Sequence, residues 1–385
     1  MKKSAALLLT LIAGALVFAS CGNGGTKEEE NEKISYPVLD SSNVKLLGRT
    51  YLADDTLYLA FSGTGAEFTY TGSKLEAQLV GDANAGSSDG EARMAVYVNG
   101  ERTMDFMMDE KEKSVVLFES EKEESADIKI VKLSECAMSN VGIKNLELNG
   151  GSIKPTEEKE RKIEFIGDSI TCGYGVDDED PSHSFSTTTE DCTKAYAYKT
   201  AQKLDADYSL VSISGYGIIS GYTSDPDNIS DNQTIPPYYK TMGFCYSTYA
   251  NGEKPSDIAW DFGKFTPDCI VINLGTNDAS YCNTTEKKDT FRDAYKDFLK
   301  TVRESNPDAK IFCTLGIMGQ TMYPSIEEAV YYYTKETGDE NVVCVQFENQ
   351  QQADGLAADY HPTEATHEKA SDLLTEAIKN EMGWS

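Results

Sequence analysis

The hydrophobic rhythm of this chain changes once, and that change limits what the chain can fold into. From about residue 38 to 150, apolar residues recur at every second position. Leu57, Leu59 and Phe61 alternate with Tyr58 and Ala60, and Leu75, Ala77 and Leu79 alternate with Lys74, Glu76 and Gln78. Successive strand side chains point to opposite faces, so this is the period of half-buried β-strands. Asn99-Gly100, placed after Met94, Val96 and Val98, is the strongest short hairpin signal. Further strands are predicted at 114–118, 128–131 and 143–148, with no helix-period stretch between them. Short strands at this spacing predict an all-β sandwich, a jelly roll, over residues 38–150.

Residues 151–161 are polar and are expected to be a linker. Beyond them the rhythm is mixed. Strands are predicted at 162–166, 208–213, 269–274, 310–315 and 342–346. Helices are predicted at 194–204, 285–305, 325–337 and 363–380, the second carrying Phe291, Tyr295, Phe298, Leu299 and Val302 on one side. Strand–helix alternation predicts a parallel sheet with helices on both faces over residues 162–385, an α/β domain. A length of 385 residues suits about two domains of roughly 150 residues each.

Charge narrows the partners. The chain carries 35 Lys and Arg against 64 Asp and Glu, a net charge of −29. Nucleic acid and anionic membrane surfaces would repel it, so neither is an expected partner. The hydrophobic share of 39% excludes wholesale disorder and a multi-span membrane protein.

The first 20 residues read as a targeting signal. Met1-Lys2-Lys3 is basic, and residues 5–18 form an apolar run too short for a bilayer span of about 20 residues. The run ends in Ala19-Ser20-Cys21, which resembles a bacterial lipoprotein signal with Cys21 as the lipidated mature N-terminus. A plain secretory peptide with an incidental cysteine is the alternative. Residues 21–37 read as a flexible tether, because 22–33 hold no apolar residue. The chain is therefore expected to be exported and anchored to the cell envelope by lipid alone. Export permits disulfides. Cys269, Cys313 and Cys344 sit in apolar strand-like runs and read as buried small hydrophobes. Cys136, Cys172, Cys192, Cys245 and Cys282 lie in polar or loop-like sequence, where pairing is open. No His/Cys spacing suggests a metal site, and no cofactor is expected.

Chemistry in a parallel sheet sits at the carboxyl ends of the strands. Four polar motifs follow predicted strands there. Gly167-Asp168-Ser169 places a serine at a strand-to-helix turn, where its own N–H faces a developing anion. Ser214-Gly215-Tyr216-Gly217 offers the Gly215 N–H, and Gly275-Thr276-Asn277-Asp278 offers the Asn277 amide. Asp359-Tyr360-His361-Pro362 brings an imidazole that can act as general base toward Ser169. Each motif alone is as readily a helix cap or a turn. In this order they supply a nucleophile, three oxyanion donors and a base. The other two histidines fit this less well: His183 reads as loop bracing and His367, on the last helix, as structural.

The four blocks resemble those of the SGNH hydrolases, with Ser169, Gly215, Asn277 and His361 in the four positions. The stretch 165–175, Ser186-Thr187 with Glu190-Asp191, and Pro267-Asp268 running into 271–278 are similar to carbohydrate esterase family two. Leu47-Gly48-Arg49 and 61–65 fit the jelly roll that precedes the hydrolase domain in that family. The resemblance covers about residues 44–382. It implies a flavodoxin-like, three-layer α/β/α hydrolase domain after the sandwich. It also implies an acetyl esterase acting on O-acetylated xylan or glucomannan, with the acetylated polysaccharide as partner. Tyr216 and Tyr360 adjoin catalytic positions and are expected to bind sugar by their ring faces. The oligomeric state is not readable from the sequence.

One position departs from the superfamily pattern. The usual Asp stands three residues before the His, and here that residue is Ala358. Asp359 is one position off, which turns its side chain away in an extended segment. The resemblance to members that use a main-chain carbonyl implies a Ser169–His361 dyad braced by the carbonyl of Ala358. A triad completed by Asp359, or by an acid from elsewhere, is the alternative. Two other functions compete: an SGNH lipase or thioesterase, and a non-catalytic glycan-binding lipoprotein.

Overall fold

The computed structural model describes residues 33–385; Cys21, the leader and the start of the tether lie outside the described residues. The first module is built from ten strands: β1 (Lys33–Tyr36), β2 (Lys45–Leu47), β3 (Thr50–Ala53), β4 (Thr56–Leu59), β5 (Gly65–Gly81), β6 (Arg93–Val98), β7 (Glu101–Met107), β8 (Glu112–Lys132), β9 (Val141–Asn149) and β10 (Ser152–Pro155). All pair antiparallel, in the order β3-β4-β9-β5-β8-β6-β7, with β1 on β9 and β2 and β10 on β5. No helix interrupts them among the described residues. The sequence divides β8 into the short strands 114–118 and 128–131, but β5 and β8 are each continuous. Their mutual register shifts between Gly72 and Lys74 and between Leu75 and Glu76. Bulges there bend the strands and add twist. Both halves of β5 thus face one core, holding Phe68, Tyr70, Leu75 and Leu79 with Met94, Ile128 and Ile143.

Two expectations need correction here. Residues 33–36, assigned to the tether, form β1, and residues 152–155, assigned to the linker, form β10. Both are short edge strands. Their backbone pairs with β9 and β5, and Ile34, Tyr36 and Ile153 pack on the core of the first module.

The second module carries five parallel strands: β11 (Arg161–Gly167), β12 (Ala206–Ser212), β13 (Cys269–Asn273), β14 (Lys310–Ile317) and β15 (Val342–Asn349). Their order is β12-β11-β13-β14-β15. The topology reverses around β11, which opens a crevice at the carboxyl ends of β11, β12 and β13. Six helices connect the strands: α1 (Ser169–Cys172), α2 (Tyr196–Lys203), α3 (Asp278–Tyr281), α4 (Thr285–Ser305), α5 (Tyr323–Thr337) and α6 (Glu364–Met382). α4 spans the predicted residues. The Thr284 side chain caps its start, and Phe291, Tyr295, Phe298, Leu299 and Val302 are buried. α4 and α5 cover one face of the sheet with Ile270, Ile272 and Ile311. α2 and α6 cover the other through Tyr196, Ala201, Leu374 and Ile378.

The modules are joined by a core and by charge. Tyr58, Phe61 and Ala137 of the first pack in the same cluster as Val211 and Ile213 of the second. Arg49, fully buried, pairs with Glu164 of β11 at 3.0 Å. Arg102 meets Asp191 at 2.7 Å and Arg93 meets Asp177 at 2.7 Å. Residues Lys33–Ser385 form one compact unit. The eight described cysteines are free and seven are buried, so the pairing left open for Cys136, Cys172, Cys192, Cys245 and Cys282 does not occur. Among the described residues no helix is long and apolar enough to cross a membrane.

Candidate active site

The nucleophile turn is tight because its glycine has no side chain. A Cβ on Gly167 would lie 2.0 Å from the Thr171 hydroxyl. Asp168 caps the short helix by accepting from the Ile170 N–H at 3.1 Å, and Ser169 is its first residue. Ser169 Oγ is 2.9 Å from His361 Nε2. His361 comes from the segment between β15 and α6, which the sheet brings to the same edge.

The other ring nitrogen of His361 faces main chain only. Nδ1 lies 3.2 Å from the carbonyl of Ala358 and 3.2 Å from that of Asp359. An N–H at Nδ1 donates to these oxygens, which leaves Nε2 as the acceptor toward serine. The Asp359 carboxylate points elsewhere and accepts from the Tyr174 hydroxyl. Asp359 and Tyr360 have φ of 48° and 60°, a left-handed pair that turns two carbonyls inward. Three contacts hold this turn: Asp359 N–H to the His183 carbonyl at 3.0 Å, Ala358 N–H to Asp178 O at 3.1 Å, and His361 N–H to Ala358 O at 3.0 Å. The Tyr174 ring stacks on the imidazole, with centroids 3.9 Å apart and planes 21° from parallel. Burial lowers the His361 pKa to about 4, opposed by the two carbonyls and, least, by the Asp359 charge.

The oxyanion side is built from β12 and β13. Gly215 has φ +78°, which lets the chain turn sharply after β12, and its N–H has no protein acceptor among the described residues. The Asn277 amide donates to the Tyr216 carbonyl at 2.9 Å and reaches Asp168 Oδ2 at 3.3 Å. Asp278, next to it, accepts from the N–H groups of Ile218, Ile219 and Ser220 and fixes the loop beyond Gly215. Burial raises the carboxyl pKa of Asp278 to about 6 and of Asp168 to about 7.

Ser169, Gly215, Asn277 and His361 line one cleft of about 600 Å³. Tyr360 is 61% exposed on its wall and Tyr222, which the sequence reading missed, is 65% exposed there. Tyr216 needs correction. It is 2% exposed and packs against Tyr238 and Phe244, because the left-handed turn at Gly215 sends its ring into the core. Its carbonyl, not its ring, serves the site. Tyr174 lies between Gly173 and Gly175, but nothing in the sequence aligns its ring with a histidine 187 positions away. His367 is buried and accepts from the Tyr196 N–H at 3.2 Å, a structural role.

A serine–imidazole pair at the switch point of a doubly wound sheet, with unpaired donors beside it, defines an acylhydrolase arrangement. Residues 165–369 match the GDSL-like lipase/acylhydrolase family, and the chain belongs to that family. Residues 46–156 match the carbohydrate esterase 2 N-terminal domain. The chain is 31% identical over 330 residues to the cellulase/esterase CelE of Acetivibrio thermocellus, covering 84% of this chain but 38% of that protein's length. It is 25% identical to an acetylxylan esterase/glucomannan deacetylase of Cellvibrio japonicus, covering 98% of both. Among solved structures it is similar to an acetyl xylan esterase from Butyrivibrio proteoclasticus. That match has 26% identity and a TM-score of 0.81, and covers 92% of this chain and 99% of the other.

Proposed function

We propose that this protein is a serine esterase that removes O-acetyl groups from plant cell-wall polysaccharides such as xylan and glucomannan. The observation that carries the reading is the 2.9 Å contact between Ser169 Oγ and His361 Nε2, in a cleft shared with Gly215 and Asn277. Ser169 Oγ attacks the acetyl carbonyl while His361 takes its proton. The N–H groups of Ser169 and Gly215 and the Asn277 amide stabilise the oxyanion. The long contact from Asn277 to Asp168 is the one an oxyanion competes for. Collapse breaks the bond to the sugar oxygen, which takes the proton from His361. Water then attacks the acetyl-serine with His361 again as base, and collapse breaks the bond to Ser169 Oγ, which takes the proton back from His361 as acetate leaves. No cofactor enters these steps.

A dyad suffices because the carbonyls of Ala358 and Asp359 hold the imidazole tautomer. The substrate class is supported by the wall of the cleft, where Tyr222, Tyr360, Thr276 and Ser280 outnumber the single aliphatic side chain of Met318. Exposed tyrosine faces suit sugar rings. Export and lipid attachment at Cys21 follow from the leader. The reading is tested by rates on p-nitrophenyl acetate, p-nitrophenyl octanoate and acetylated glycans. Acetate should be preferred, and Tyr360→Ala and Tyr222→Ala should hurt glycan more than p-nitrophenyl acetate. Octanoate preferred over acetate would favour a lipase, and no hydrolysis of any ester would favour a glycan-binding protein.

A further inference from the structure

Glu135 belongs to the first module, between β8 and β9, yet it ends beneath the active site. Its Oε2 accepts the backbone N–H of Ser214 at 2.6 Å, one residue before Gly215. The Cys172 thiol, from the helix that Ser169 begins, lies 3.6 Å from the same oxygen. The Glu135 N–H in turn donates to Glu190 Oε2 at 2.8 Å. Glu135, Glu190 and Cys172 are all buried, and the Oε1 atoms of both glutamates are without a hydrogen-bond partner. Lys132, buried with them, donates to the carbonyls of Ser134 and Glu135 rather than to either carboxyl. Arg93 is committed to Asp105 and Asp177 and touches only the carbonyl of Glu190. Burial pushes both carboxyl groups up. Two carboxyls this close cannot both be charged cheaply, and a proton on the pair turns one of them into a donor.

We propose that Glu135 is a positioning residue for acyl transfer: its carboxyl fixes the Ser214 N–H, and through the next peptide unit aims the Gly215 N–H at the oxyanion. The first module then completes the oxyanion hole's support, and Glu190 anchors Glu135 from the second. This rests on the esterase reading above. The far side of the left-handed Gly215 turn is held by the Tyr222 N–H on the Gly215 carbonyl at 2.9 Å and by the Asn277 amide on the Tyr216 carbonyl. The near side, at Ser214, is held by Glu135.

The test compares Glu135→Gln with Glu135→Asp in the full chain on p-nitrophenyl acetate. Gln keeps an oxygen for Ser214 and offers an amide N–H to Glu190, so kcat should stay within about threefold. Asp withdraws the acceptor by one methylene, so kcat should fall about ten- to a hundredfold with KM within threefold, a loss specific to the transition state. Arg102→Gln, which breaks the contact between the modules at Asp191 and leaves the Glu135 and Glu190 carboxyls in place, is the stability control and should leave kcat within twofold. A folded Glu135→Asp protein with wild-type kcat overturns the proposal. So does a kcat loss that Arg102→Gln reproduces at the same melting temperature. Should Glu135→Asp not fold, replacing Ser214 by its α-hydroxy analogue puts an ester oxygen in place of the N–H: a similar kcat loss supports the proposal and an unchanged kcat overturns it. A wild type inactive on every ester refutes the esterase reading instead.

Discussion

Replacing Asp359 by Asn separates the two ways in which His361 can be braced. In serine proteases a triad Asp costs on the order of 10⁴ in kcat on mutation to Asn, about 5.4 kcal/mol. Here the Asp359 carboxylate accepts from the Tyr174 hydroxyl, while His361 Nδ1 faces the carbonyls of Ala358 and Asp359 at 3.2 Å each. Asn keeps an oxygen for Tyr174. What is lost is the charge assistance of that one bond, about 1 kcal/mol, and a weak long-range pull on the imidazolium. The sum predicts a fall in kcat/KM of less than about tenfold, under ~1.4 kcal/mol. Initial rates on p-nitrophenyl acetate, with a melting curve to confirm folding, read it out. A loss near 10⁴ in a folded variant would refute the dyad.

Three further outcomes follow from the site. Asn277→Ala removes one oxyanion donor and should lower kcat about 10²–10³-fold, or roughly 3–4 kcal/mol, with little change in KM; an unchanged kcat would remove Asn277 from the oxyanion hole. Because burial holds the His361 pKa near 4, below the ordinary 6.5, the base stays unprotonated as pH falls through 6.5. kcat/KM should therefore hold to near pH 5 and fall with a midpoint of about 4, and a limb at 6.5 would contradict the buried imidazole. Cys21→Ser should move the protein from the membrane fraction to the soluble one, whereas a wild type that is already soluble refutes the anchor.

What the sequence made legible was whatever depends on spacing along the chain. The apolar stripe of α4 is local, and so are its bounds. The order of polar motifs after strands brought Ser169, Gly215, Asn277 and His361 to one edge because parallel topology does so for any such chain. The one-residue offset of Asp359 is also a count, but the reason expected for its side chain turning away is corrected: the segment is a left-handed turn at φ 48° and 60°, not an extended one. Contacts between distant segments were hidden. β1 and β10 are four residues each, with one or two apolar side chains, too short for a periodic signal, and they take shape on partners elsewhere in the sheet. The inward turn of Tyr216 depends on the φ of Gly215, which adjacency to a catalytic residue does not reveal. Arg49, Glu135 and Tyr174 each find their partner more than 100 positions away, or on the other module, and no periodicity reports that.

The central claim is that Ser169, activated by His361, releases acetate from an acetylated plant polysaccharide. Acetate release from acetylated xylan and glucomannan, followed with the wild type beside Ser169→Ala and His361→Ala, tests it directly. The account predicts release by the wild type and loss of nearly all of it in both variants, each folded as judged by its melting curve. Undiminished release by either variant would contradict it, as would a wild type that hydrolyses p-nitrophenyl acetate but leaves both polysaccharides acetylated.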